Sequence, residues 1–164
     1  MAAAGGTVAD LSAPRLPAAG ASDLRWARPA PASRDALPGA AQGGVRILLR
    51  LEGLVVLAAA VAVYVHLGAS WGAFAMLFLL PDLSFLGYLA GSRVGAIAYN
   101  AAHSYIGPVA LLGLGLAGGM PAAMALGLIW SAHIGLDHAL GYGLKYGSEF
   151  GVTHLGRVGP TDPW

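Results

Sequence analysis

The sequence predicts an all-α fold: a four-helix transmembrane bundle running up-down-up-down, preceded by a disordered N-terminal tail. Three observations lead there. Hydrophobic residues make up 57% of the 164 and charged residues only 10%, a balance outside that of ordinary soluble domains. Beyond residue 44 come four apolar stretches of about 20 residues or more, each long enough at 1.5 Å per residue to cross a hydrocarbon core about 30 Å thick. The connections between them are only about four residues long, which makes neighbouring spans antiparallel.

Residues 1–44 are rich in Ala, Pro, Gly and Ser with scattered Arg and Asp, and follow neither a helical nor an alternating apolar period. This tail is expected to be disordered. It lacks the apolar core of a secretory signal peptide, so the first span reads as a signal anchor rather than a segment cleaved near Leu67–Ser70.

Residues 45–159 form one four-span membrane domain, with spans at about 47–66, 71–90, 94–117 and 121–142. The second contains Pro81 and the third Gly107-Pro108. A Gly-rich C-terminal segment follows, whose Tyr142, Lys145 and Tyr146 read as an interfacial anchor of aromatics with a snorkelling base. Its glycines allow it to fold back across the mouth of the bundle.

Orientation follows from positive charge. Arg46 and Arg50 precede the first span, Arg93 lies between the second and third, and Lys145 and Arg157 follow the fourth, while the other two loops are uncharged. The positive-inside rule then places both termini in the cytoplasm of a multi-pass protein of the inner (plasma) membrane. The lipid bilayer is the expected partner, with a homo-oligomer as a further one. The net charge of +1 and the scatter of Arg and Lys argue against nucleic acid. The absence of cysteine removes disulfides, thiolate metal ligands and cysteine nucleophiles, so a metal site would use His and carboxylates.

The informative residues are polar ones inside the apolar stretches: Glu52, Asp82, Asn100, His103, His133, Asp137 and His138. Such groups cost roughly 2.5–3.5 kcal/mol each on insertion scales, so they are rare in hydrocarbon unless paired, hydrated or functional. With the predicted topology Glu52, Asp82, Asn100, His103, His133 and Asp137 lie at similar depths, roughly 8–14 Å from the cytoplasmic ends of their helices. A shared pocket in the cytoplasmic half of the bilayer is the expectation. His133 and Asp137 are four residues apart, and Asn100 and His103 three apart, so each pair shares a helix face. Pro81 cannot donate to the Leu77 carbonyl, which leaves a polar backbone group beside Asp82.

Asp82, His103, His133 and Asp137 are the candidate metal ligands, with zinc the favoured divalent cation, and Glu52 is the candidate general base. Structural readings stand beside these. His133 and Asp137 can neutralise each other, Asp82 can cap a kinked half-helix, Glu52 can pair with Arg50 or Arg93, and Asn100 can join helices. Ser104 can bond back to its own helix. His138 points about 100° away from Asp137, and His154 enters only if the C-terminal segment folds back.

The chain also resembles a family. LLRLEGL (Leu48 to Leu54), FLLPDLSFLGYL (Phe78 to Leu89), YNAAHSYIGP (Tyr99 to Pro108), HIGLDHALGYGLKY (His133 to Tyr146) and THLGR (Thr153 to Arg157) occur in order. Over residues 45–159 these make it similar to the small bacterial integral-membrane family known as domain of unknown function 4260. That family usually has Arg where this chain has His138, and the resemblance implies topology without chemistry.

A second resemblance is to bacterial membrane-bound metal-dependent hydrolases. It rests on the order of Pro81-Asp82, His103-Ser104 and His133-x-x-x-Asp137, although those proteins carry a richer set of His and Asp. Three functions therefore remain open: a membrane protein whose polar cluster is structural, a metal-dependent hydrolase acting on a lipid-like substrate, and a proton or cation relay or transport subunit.

Overall fold

The structure, a computed structural model, describes residues 39–148 and 150–159. Most of the tail expected to be disordered, residues 1–38, lies outside the described residues. Its last part differs from the expectation: the Ala41 N–H bonds to the His154 carbonyl at 2.8 Å and the Gly39 carbonyl accepts from the Tyr146 hydroxyl at 3.0 Å. The C-terminal segment supplies partners that the tail has no means of supplying alone.

Helix α1 spans Gly43–Leu67 and ends at Gly68, whose φ of 68° closes the last turn in the left-handed region. Helix α2, Trp71–Leu77, starts at Ser70, whose hydroxyl accepts the Ala73 N–H. A 3-10 segment follows over Leu80–Ala90, then α3 (Ser92–Ala102), α4 (Ile106–Gly118) and α5 (Pro121–Leu140). Three stretches, Gly43–Leu67, Trp71–Ala90 and Ser92–Gly118, are long and apolar enough to cross a membrane. Their outer faces carry exposed Met76, Leu89, Ile97, Ile106 and Leu116, an arrangement suited to lipid rather than water.

The fourth predicted span, α5, is not among those three. His133, Asp137 and His138 lower its hydropathy, and its role explains why it can carry them. It packs on α1, α4 and α2, and it is buried almost continuously from Gly127 to Gly135. It is the interior element. Against it lie Ala60 and Tyr64 of α1, which with Leu128, Ile129 and Ala132 form the apolar core. The closest approach is at Gly53 and Gly135. A Cβ on Gly135 would stand 2.7 Å from the Leu57 nitrogen and 2.8 Å from the Gly53 carbonyl oxygen, so only small residues allow this crossing.

The second and third predicted spans are each interrupted, and both interruptions lie near prolines. Pro81 lacks an N–H and meets the chain where α2 gives way to the 3-10 segment. Pro108 cannot bond back to Ser104, and the chain breaks between α3 and α4 over His103–Tyr105. The break frees the Ala102 carbonyl, which the Trp130 indole N–H satisfies. Gly107 leaves the space that this indole fills.

After α5 the chain forms a small antiparallel hairpin, β1 (Val152–Thr153) and β2 (Gly156–Arg157), with Val152 opposite Arg157 and Thr153 opposite Gly156. The Thr153 hydroxyl donates to the Gly156 carbonyl at 2.7 Å and accepts the Leu155 N–H at 3.2 Å. Leu155 is fully buried beneath the turn. The hairpin folds back onto the helix ends, as the glycines of the segment allow.

Candidate metal centre

Two ligand candidates come from the helix interruptions and two from the continuous helix. Asp82 follows Pro81 at the start of the 3-10 segment, and His103 is the residue at which α3 stops. His133 and Asp137 project from one face of α5, one turn apart. One donor atom from each of the four lies within 4.8 Å of all the others.

The spacings that involve a histidine nitrogen are similar. The Nε2 atoms of His103 and His133 are 3.2 Å apart. His103 Nε2 lies 3.5 Å from both Asp82 Oδ1 and Asp137 Oδ2, and His133 Nε2 lies 3.6 and 3.8 Å from the same two oxygens. A tetrahedral zinc ion with bonds of about 2.0–2.1 Å has ligand–ligand edges of about 3.3–3.4 Å. Both histidines are almost fully buried, whereas the Asp82 side chain is 36% exposed.

Surrounding groups orient these donors. His103 Nδ1 donates to the Tyr99 carbonyl at 2.9 Å, which leaves the lone pair of the neutral ring on Nε2, toward the cluster. The Tyr99 ring stacks on the His103 ring with centroids 3.7 Å apart and planes 10° from parallel. Its hydroxyl donates to Asp137 Oδ2 at 3.3 Å. Phe78 meets the His133 ring edge-on at 5.3 Å. Tyr99 thus touches two ligand candidates in three ways, yet the sequence reading passed over it. The available signal was its position one turn before His103 on the same helix.

Glu52 is not brought to the cluster. It is exposed on α1, and its neighbour Gly53 packs on α5 at Gly135, His138 and Ala139. His133 and Asp137 each lie two residues from Gly135, which at about 100° per residue directs them about 160° away from α1. Helix α5 stands between Glu52 and the four donors.

The other candidates take structural positions. Asn100 holds the C-terminal segment: its Nδ2 donates to the Lys145 carbonyl at 2.9 Å and its Oδ1 accepts the Lys145 N–H at 2.7 Å. His138 meets Tyr105 and His154 edge-on. His154 accepts the Leu144 N–H on Nδ1 at 2.8 Å, and burial pushes its imidazole below the ordinary value of 6.5. Ser104 bonds back to the Ala101 carbonyl. Lys145, expected to snorkel, is instead only 8% exposed. Burial pushes its ammonium below the usual lysine range, and the Asp137 carboxylate opposes that shift.

An apolar cavity of about 320 Å³ adjoins the cluster, lined among others by Pro81, Ser84, Ala102, Ile129 and Trp130. Pro81 and Ala102 directly precede Asp82 and His103, and Ile129 lies one turn before His133. The Ser84 hydroxyl in its wall is buried and has no hydrogen-bond partner among the described residues.

Fold and site together define a helical protein with membrane-length apolar helices and a cluster of two buried histidines and two partly buried aspartates. Over residues 46–158 the sequence matches the family described as Domain of unknown function (DUF4260), and the chain belongs to that family. No curated protein and no solved structure matches the chain significantly.

Proposed function

We propose that this is a metal-binding integral membrane protein, in which Asp82, His103, His133 and Asp137 hold a divalent cation, zinc by preference. The observation that carries this reading is the convergence of two Nε2 atoms and two carboxylate oxygens, with every nitrogen–nitrogen and nitrogen–oxygen spacing between 3.2 and 3.8 Å. Imidazole and carboxylate donors suit zinc, and the bond from His103 Nδ1 to a backbone carbonyl is the kind that fixes a ligating imidazole. The proposal extends to the bundle: α5 is a fourth span enclosed by the other three, and both termini lie on the cytoplasmic side. Contact between the start of α1 and the C-terminal hairpin supports an even number of crossings, which returns the chain to the side where it began, and Arg46, Arg50 and Arg93 favour the cytoplasm as that side.

The second reading, hydrolysis of a lipid-like substrate, is favoured by the exposure of Asp82 and by the apolar cavity next to it. The cavity is of a size that takes small apolar ligands, and the Ser84 hydroxyl offers a polar contact there. A bound zinc would supply a water of lowered pKa. Four protein donors complete a tetrahedral shell, so this chemistry requires a fifth position or release of Asp82.

Elemental analysis of the detergent-purified protein tests the metal, comparing wild type with Asp82→Ala and His133→Ala after dialysis without chelator. One equivalent of zinc, manganese or iron is expected in wild type and little in either variant. A well-folded wild type without metal, or variants with undiminished metal, would refute the reading.

A further inference from the structure

Lys145 lies outside the four donors but is held with comparable care. Its Nζ sits 3.4 Å from the Phe150 ring centroid, 4.8 Å from those of Phe85 and Tyr99, and 5.6 Å from that of Tyr88. It also donates to the Phe150 carbonyl at 3.2 Å. Burying an ammonium is costly, and ring faces offset the loss of water through their negative π surfaces. The backbone of the same residue is gripped by Asn100, one position after Tyr99 on α3. One short stretch of α3 therefore supplies the clamp on Lys145 (Asn100), a ring of its cage (Tyr99) and a metal-ligand candidate (His103).

Tyr99 connects the cage to the cluster. The ring over which Nζ lies is the ring stacked on His103, and its hydroxyl is the donor to Asp137. A cation over a phenol ring makes the O–H a stronger donor to a carboxylate, and a ring held on several sides keeps the stacked imidazole in one plane.

We propose that Lys145 is a positioning residue for the metal centre, acting through Tyr99 to hold Asp137 and His103 in ligand geometry. This rests on the reading of the four donors as a metal site. It gives the C-terminal segment a function beyond anchoring, since the segment carries the cation that completes the surroundings of the site.

Cobalt(II) titration of the detergent-purified full chain tests this, because the visible absorption of bound cobalt reports ligand geometry as well as affinity. Wild type, Lys145→Met, Lys145→Arg and Tyr99→Phe are compared, with helicity and thermal unfolding measured alongside. Wild type is expected to bind one equivalent. Lys145→Met should bind about tenfold or more weakly, within the 10–100-fold range of groups that orient metal ligands, and with an altered spectrum. Lys145→Arg, which keeps a cation in the cage, should recover most of the affinity. Tyr99→Phe keeps the ring but loses the hydroxyl, and should reproduce the spectral change even if Lys145→Met does not fold. Wild-type affinity and spectrum in Lys145→Met or in Tyr99→Phe would overturn the proposal while leaving the metal site standing. Equal impairment in Lys145→Arg and Lys145→Met would also overturn it, by assigning the effect to packing. A folded wild type that binds no cobalt would remove the metal site and this proposal together.

Discussion

His103 Nε2 and His133 Nε2 face each other at 3.2 Å across the helix bundle, from residues 30 apart in the chain. With the His103 proton committed to the Tyr99 carbonyl, His103 Nε2 is an acceptor, and either a proton on His133 Nε2 or a cation relieves the approach of the two nitrogens. Zinc should therefore raise the thermal stability of the purified protein, by about 2.7 kcal/mol at a free concentration 100 times the dissociation constant. Chelator should reverse the shift and His103→Ala should abolish it. Equal zinc shifts in the wild type and His103→Ala would show binding elsewhere.

Asn100→Ala removes both hydrogen bonds that grip the Lys145 backbone. Leaving that buried N–H and carbonyl without partners is expected to cost about 1–3 kcal/mol, concentrated in the C-terminal segment. Hydrogen exchange should accelerate over residues 143–158 and stay unchanged in the middle of α5. Uniform acceleration along the chain would contradict this local account.

At Gly135 the neighbours are backbone atoms of α1, which cannot move aside as a side chain can. Gly135→Leu should destabilise the helix pair by about 1–3 kcal/mol or more, measured as loss of helicity in a denaturing detergent titration. Gly113→Leu is the control, because a Cβ there meets nothing within 4 Å among the described residues. Similar losses in both variants would point to a general effect of added bulk.

The docking of the hairpin should depend on pH through His154. Its imidazole titrates below 6.5 when docked because it is buried, and the Leu144 N–H occupies Nδ1. Just below pH 6.5 the released segment therefore binds more protons than the docked one. Docking is at full strength above that pH and weakens as pH falls through the lowered docked value. Hydrogen-exchange protection at Leu144 should fall on going from pH 7 to pH 5, and His154→Gln should flatten the dependence. Unchanged protection in the wild type would remove His154 from that role.

Three membrane-length stretches were legible because length and hydropathy alone define them. The meeting of Asp82, His103, His133 and Asp137 was legible too, since helical spacing and common depth direct the side chains to one place. Glu52 shares the depth expected from the sequence, but depth says nothing of direction around the helix axis, and the Gly53–Gly135 crossing turns it away. Lys145 beside two tyrosines has the composition of an interfacial anchor. Its burial depends on Phe85, Tyr88 and Phe150 converging from distant parts of the chain, which no local pattern records. The breaks beside Pro81 and Pro108 were visible as prolines, but not as the points from which two of the four donors project.

The enclosed position of α5 bears on how the chain is made. A ribosome delivers α1 to α4 before α5, so the three stretches able to enter lipid on their own hydropathy emerge first. The helix with the most to lose in bare hydrocarbon emerges last, when Asp82 and His103 are already available to meet His133 and Asp137. Moving α5 to the front of the gene by circular permutation would keep every native contact available to the finished protein but present the translocon with its least apolar segment before any partner existed.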